Sequence, residues 1–110
     1  MSRIIGNKKE IIALQFLHKN GLKLLTRNFH SRFGEIDLIM EDGETIVFVE
    51  VRYRRSARFG TSAESIDYHK QQRLIKTAQF YLLRYPHNKA CRFDVIAIDQ
   101  SLQWIRNAFS

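Results

Sequence analysis

The chain reads as a mixed α/β (α+β) fold in the order helix, three strands, helix, two strands (α-β-β-β-α-β-β), and three observations predict it. Apolar residues recur at helical spacing around Ala13, Leu14 and Leu17 and again along Ile66, Leu74, Ala78 and Leu82. Between and after these stretches lie β-type runs, of which Thr45 to Tyr53 ("TIVFVEVRY") is the most apolar. Turn and stop signals at Asn20-Gly21, Asp42-Gly43 and Tyr85-Pro86 divide the runs from one another.

The first helix is expected over Lys8 to Lys19, with Asn20-Gly21 as its stop, because glycine accepts the left-handed conformation that ends a helix. Leu22 to Asn28 and Gly34 to Met40 read as strands. Asp42-Gly43 is a hairpin signal leading into the third strand, Thr45 to Tyr53. Arg54 to Ala63 is basic, contains Gly60 and reads as a loop. The second helix runs from about Asp67 to Arg84, where Tyr85-Pro86 ends it. Arg92 to Ile98 reads as a buried strand, and Gln103 to Phe109 pairs with it across the turn Asp99-Gln100-Ser101.

Length and composition bound the function. At 110 residues and 45% hydrophobic content, residues 1–110 form one domain with a real core. Repeats, low-complexity tracts and Gly/Ser/Pro-rich linkers are absent from the sequence. Lys and Arg number 18 against 11 Asp and Glu, and the net charge of +7 favours a polyanionic partner, a nucleic acid or an acidic membrane surface. The single Cys91 excludes an internal disulfide framework, and a buried structural thiol is its expected role. With neither a signal-type segment nor an apolar run of spanning length, the expected location is the cytoplasm, away from the membrane.

Glu50 interrupts the most apolar strand, and the hairpin suggests why. A turn at Asp42-Gly43 pairs Glu35 with Glu50 and Asp37 with Phe48. Alternation along each strand then projects Glu35, Asp37, Glu50 and Arg52 from one face. Asp37 and Glu50 become diagonal neighbours with Cα atoms roughly 7–8 Å apart, near enough to share a metal ion. Unpaired buried charge is costly, so the cluster requires a cation. A hard metal satisfies that need, and so do salt bridges to Arg32, Arg52 or Arg54; the hairpin leaves both open. Glu10 lies on the Ala13, Leu14 and Leu17 stripe and is placed to join the acids. Lys70 occupies the inner stripe of the second helix, where it is either a snorkelling lysine or a catalytic amine.

Taken together, Gly6-x-x-x-Glu10, Gly34-Glu35-Ile36-Asp37-Leu38-Ile39, Phe48-Val49-Glu50-Val51, Lys70-Gln71-Gln72-Arg73-Leu74 and Arg92-Phe93-Asp94-Val95 resemble the small bacterial YraN-like family. More broadly, an Asp followed by Glu-x-(basic residue) resembles the PD-(D/E)xK, or restriction-endonuclease-like, nuclease superfamily. The resemblance covers nearly the whole chain. It implies a central mixed sheet flanked by helices and a relationship to Holliday junction resolvases. Carried over by position, Glu10 is the helical acid, Asp37 the central metal ligand and Glu50 the second carboxylate. Arg52 stands where the superfamily usually has lysine; it stays protonated and can only position or stabilise charge. Lys70 is the candidate displaced amine.

The implied chemistry is phosphodiester hydrolysis with Mg²⁺ or Mn²⁺ held by Asp37, Glu50 and the Val51 carbonyl, because oxygen donors favour hard ions. Zinc is disfavoured: His18, His30, His69 and His87 form no short paired motif with the lone Cys91. Arg54, Arg55 and Arg58 follow the third strand and are the expected phosphate-binding residues, with Tyr53 and Phe59 available to stack on bases. The expected partner is a nucleic acid, DNA before RNA, with a homodimer left open. Two functions remain in view, with a protein-interaction module as a third: a metal-dependent nuclease acting on branched or structured DNA, and a non-catalytic binding module that keeps the nuclease fold. Asp94 is expected in a structural salt bridge or helix-cap contact.

Overall fold

The structure, a computed structural model, describes residues 2–53 and 66–109, with side chains from Lys8 onward. Helix α1 (Ser2–Lys19) precedes β1 (Lys23–Ser31), β2 (Gly34–Asp42) and β3 (Thr45–Tyr53); α2 (Tyr68–Arg84) precedes β4 (Ala90–Ile98) and β5 (Leu102–Ile105). This is the expected α-β-β-β-α-β-β order. The strands form one mixed sheet in the order β1-β2-β3-β4-β5. All neighbours are antiparallel except β3 and β4, which run parallel from Thr45↔Ala90 to Tyr53↔Ile98. A parallel pair needs a long crossover, and α2 lies within it.

The stops work as their chemistry dictates. Gly21 takes φ +95, while Leu22 N–H donates to Leu17 C=O and Gly21 N–H to His18 C=O, each at 3.0 Å, a Schellman closure of α1. Asp67 caps α2 by accepting from Lys70 N–H at 2.8 Å. That bond fixes the helix start and places Lys70 in its first turn.

Each helix covers one face of the sheet. Ala13 and Leu17 of α1 pack on Leu38, Met40, Val47, Val49, Ile96 and Ile98. Leu74, Ala78 and Tyr81 of α2 pack on Ile36, Ile39, Ile46 and Phe48. Strand β3 lies between two neighbours and under both helices, so Ile46 to Glu50 are all buried, which accounts for its continuous apolar run.

Several boundaries differ from those expected. Helix α1 begins at Ser2, β1 and β2 run on to Ser31 and Asp42, β4 begins at Ala90, and β5 ends at Ile105. Strand β1 continues past Asn28 because asparagine tolerates the left-handed φ of +51 found there. Beyond Ile105 the chain turns, with Asn107 at φ +53 and Ala108 N–H donating to Phe93 C=O at 2.8 Å. Phe109 consequently stacks on Phe93 rather than extending the strand. Cys91 is exposed, contrary to its expected burial, because it lies near the free start of β4, ahead of the strand's buried section.

The hairpin register also differs. Asp42 pairs with Thr45 and Leu38 with Val49, so Gly43 and Glu44 form the loop, with Gly43 at φ +59 as a type II′ turn requires at its first position. The pairing is displaced by one full pleat period from the Glu35–Glu50 expectation. A displacement of that size preserves the parity of the paired section, Leu38 to Asp42 against Thr45 to Val49.

Candidate metal and nucleic-acid site

The ladder between β2 and β3 ends at Leu38↔Val49, and one step beyond lie Asp37 and Glu50. Alternation along β2 is broken here, since Ile36 joins the α2-side core and Leu38 the α1-side core. Instead of a strand carbonyl, the Asp37 carboxylate accepts the Val51 N–H, at 2.7 Å. Asp37 is therefore held against β3 by the backbone and does not depend on its rotamer alone.

Glu50 is 6% exposed and follows Phe48 on the face beneath α2. Its Oε2 lies 2.8 Å from Lys70 Nζ. A cation in the first turn of a helix opposes the helix dipole by about 0.3–1 kcal/mol. Lys70 therefore owes its place to Glu50 and brings a cation to the cluster. Arg32 lies over the Phe33 ring, 5.0 Å from its centroid. Glu35 is paired with His30 at 3.8 Å rather than with an arginine.

Asp37 and Glu50 lie side by side at the end of the ladder, and the two acids act on each other. Burial first, then the neighbouring Glu50, push the Asp37 carboxyl up to about 9, against the lowering effect of the Val51 amide. Glu10 approaches from α1. Burial raises its carboxyl too; the Asn28 side chain opposes this by hydrogen bonding, while Glu35 and Glu50 add to it. One oxygen of Glu10, Oε1, is buried without a hydrogen-bond partner. Asn28 was not anticipated as a site residue, although an asparagine in a strand-like run was its signal.

A cavity of about 160 Å³ opens between β2 and α2, lined by Gly34, Glu35, Asp37, Glu50, Lys70, Arg73 and Leu74. A neighbouring hollow is lined by Asp37, Glu50, Val51, Arg52, Tyr53 and Lys70. The fold thus brings Asp37, Glu50, Val51, Arg52 and Lys70 around one space, with Glu10 near enough to influence both central acids. Among the described residues, no three His, Cys, Asp or Glu side chains are arranged to hold a metal. Asp37 and Glu50 supply carboxylate oxygens at this space, and Val51 lines it beside them. Arg54, Arg55, Arg58 and Phe59 lie outside the described residues.

Asp94 is a second buried acid, 1% exposed, with a structural role. It accepts from Arg92 Nε at 3.0 Å, Trp104 Nε1 at 2.9 Å and Asn107 N–H at 3.0 Å, while Arg92 also reaches Asp42 at 3.0 Å. This is the salt bridge expected for Asp94, enlarged by contacts from β5 and the turn after it. Among the described residues, no helix is long and apolar enough to cross a membrane.

Comparison with known proteins places the chain among relatives of the same size. It is 50% identical to a UPF0102 protein of Stutzerimonas stutzeri (strain A1501), over 98% of this chain and 96% of that protein. It is also 50% identical to a UPF0102 protein of Nitrosococcus oceani, covering 94% and 90% of the two chains, and to UPF0102 protein HEAR0176 of Herminiimonas arsenicoxydans, covering 96% and 86%. The profile described as "Uncharacterised protein family UPF0102" matches residues 9–98, a span that contains Glu10, Asp37, Glu50, Arg52 and Lys70. The chain belongs to the UPF0102 family.

Proposed function

We propose that this protein is a metal-dependent nuclease of the PD-(D/E)xK type, hydrolysing phosphodiester bonds in branched or otherwise structured DNA in the cytoplasm. The observation that carries the reading is the Asp37–Glu50 pair at the end of the β2–β3 ladder, with the Lys70 amine 2.8 Å from Glu50. Two neighbouring buried acids, with the Asp37 carboxyl pushed up by burial and by Glu50, form a site whose charge a divalent cation satisfies. Asp37, Glu50 and the Val51 carbonyl are its proposed ligands. Bound there, Mg²⁺ or Mn²⁺ supplies Lewis-acid polarisation of the phosphate and a lowered pKa for the attacking water.

The chain's own residues supply positioning. Val51 N–H fixes Asp37, and α2 holds Lys70 at the cavity where the attacking water must stand. Lys70, once released from Glu50, orients that water or neutralises the phosphate. Arg52, beside the same hollow, attracts and orients phosphate but retains its proton. Glu10 sets the charge behind Asp37.

A second reading is favoured by one observation. Arg52 holds the motif-lysine position and Lys70 is engaged with Glu50, so a nucleic-acid-binding module without turnover also accommodates the geometry. Calorimetry tests the metal site common to the nuclease reading: Mg²⁺ or Mn²⁺ should bind wild type, with or without nucleic acid, and Asp37→Ala and Glu50→Ala should abolish the binding. Equal heats from wild type and both variants would remove the site.

A further inference from the structure

The β1–β2 turn carries Arg32 and Phe33, and the structure presses it onto α2. Ser31 Oγ meets Thr77 Oγ1 at 3.1 Å, and a Cβ placed on Gly34 would lie 3.8 Å from Arg73 Cβ and 3.6 Å from Thr77 Oγ1. The turn therefore borders the acidic cavity, which Gly34 and Arg73 both line. Two cations from different elements converge on the Phe33 ring. The Arg32 guanidinium is 5.0 Å from the centroid and Lys76 Nζ 5.8 Å. Arg73 stands one helical turn before Lys76, and all three cations are exposed.

Among the described residues, none of Arg32, Arg73 and Lys76 has a carboxylate within ion-pair distance. Of the nearby acids, Glu50 pairs with Lys70, Asp67 accepts the Lys70 amide and also feels the charge of Arg73, and Glu35 lies 3.8 Å from His30. A ring attracts each cation by about 0.5–1 kcal/mol at an exposed site, but two like charges around one ring repel. An anion lying between them relieves that repulsion, and the arrangement is held by the fold before any ligand arrives.

We infer that Arg32, Phe33, Arg73 and Lys76 form a phosphate-binding arm that seats the backbone of a nucleic-acid strand on the α2 side of the acidic cavity. This rests on the nucleic-acid reading above and adds to it four residues that the sequence did not single out for phosphate binding. A strand held by the arm crosses the mouth of the cavity. Phe33, already flanked by cations, offers a ring edge to a sugar or base without specifying sequence.

The test measures binding of labelled single-stranded and duplex DNA by fluorescence anisotropy across a salt series, with Ca²⁺ present. Four proteins are compared: wild type, Arg32→Gln/Lys76→Gln, Arg32→Lys/Lys76→Arg, and Arg54→Ala/Arg55→Ala/Arg58→Ala, each checked by thermal melting. The glutamine variant should bind more weakly. Its duplex slope of log affinity on log salt should be shallower by about 1.8, the value for two lost phosphate contacts. The charge-conserving variant should match wild type. If the glutamine variant keeps the wild-type affinity and slope while the triple alanine variant loses both, the arm is overturned and the nucleic-acid reading stands. Equal losses in the glutamine and charge-conserving variants would overturn the arm as an electrostatic device. Should wild type bind neither DNA, both the arm and the functional reading fall.

Discussion

Lys70 Nζ and Glu50 Oε2 stand 2.8 Å apart, joining the first turn of α2 to the buried end of β3. The Glu50 side chain is only 7% exposed, so removing its partner leaves a charge that water cannot fully solvate. Lys70→Met should destabilise the metal-free protein by about 1–3 kcal/mol. Lys70→Met/Glu50→Gln should recover much of that loss. Urea unfolding of the four proteins in the double-mutant cycle measures the coupling, and additive losses would show that the pair contributes nothing to stability.

Asp37 makes the metal-free protein sensitive to pH. Its carboxyl is raised from 3.8 to about 9, so between those values the folded state holds a proton that the unfolded chain has released. Stability from this group is full below the unfolded pKa and is lost as pH rises through the folded one. Asp37→Asn keeps an oxygen for the Val51 amide and needs no proton. With chelator present, the variant should match wild type near pH 4 and exceed it by about 2 kcal/mol or more at pH 8. Melting curves at both pH values check this; a constant difference would contradict the raised Asp37 carboxyl. Mg²⁺ should narrow the gap by stabilising wild type.

The Asp94 network should behave as structure alone. Asp94→Ala removes the partner of Arg92, Trp104 and Asn107 in a site that is 1% exposed, and should cost about 3–5 kcal/mol. Trp104→Phe, which leaves one acceptor short of a donor, should cost about 1 kcal/mol. Neither should alter metal affinity in the folded protein, as calorimetry below the melting range will report.

The two basic residues at the cavity separate the functional readings. If Lys70 is the working amine, Lys70→Ala should lower turnover by about 10²-fold or more, and Arg52→Lys should change little. If Arg52 has silenced a nuclease, Arg52→Lys should raise metal-dependent cleavage without a matching gain in DNA affinity, since a titratable amine replaces a fixed charge. Single-turnover cleavage and binding measured side by side distinguish the two patterns.

These features differ in how far the sequence disclosed them. The helix stop at Gly21 and the start of the second helix near Asp67 were legible because each depends on local chemistry. The meeting of Asp37, Glu50 and Arg52 around one hollow was legible despite the wrong hairpin register, because a displacement of one full period preserves parity along β3, but the break in alternation between Ile36 and Leu38 was not. Lys70 was legible from its stripe, but its partner was not, since the pairing depends on how α2 lies over β3. The Asp37–Val51 bond was hidden because it arises where the ladder breaks and alternation ends. Trp104 and Asn107 were hidden as partners of Asp94 because β5 is shorter than its apolar run suggested. Cys91 was misplaced because a thiol's usual burial says nothing about where a strand leaves its cover.

The measurement closest to the central claim is cleavage of branched, single-stranded and duplex DNA and RNA by wild type and Asp37→Ala, purified in parallel, with Mg²⁺, Mn²⁺ or chelator. The nuclease reading predicts metal-dependent cleavage by wild type, strongest on branched or structured DNA, abolished by chelator and reduced in Asp37→Ala to background. Wild-type cleavage no greater than that of folded Asp37→Ala on every substrate and with either metal would contradict it.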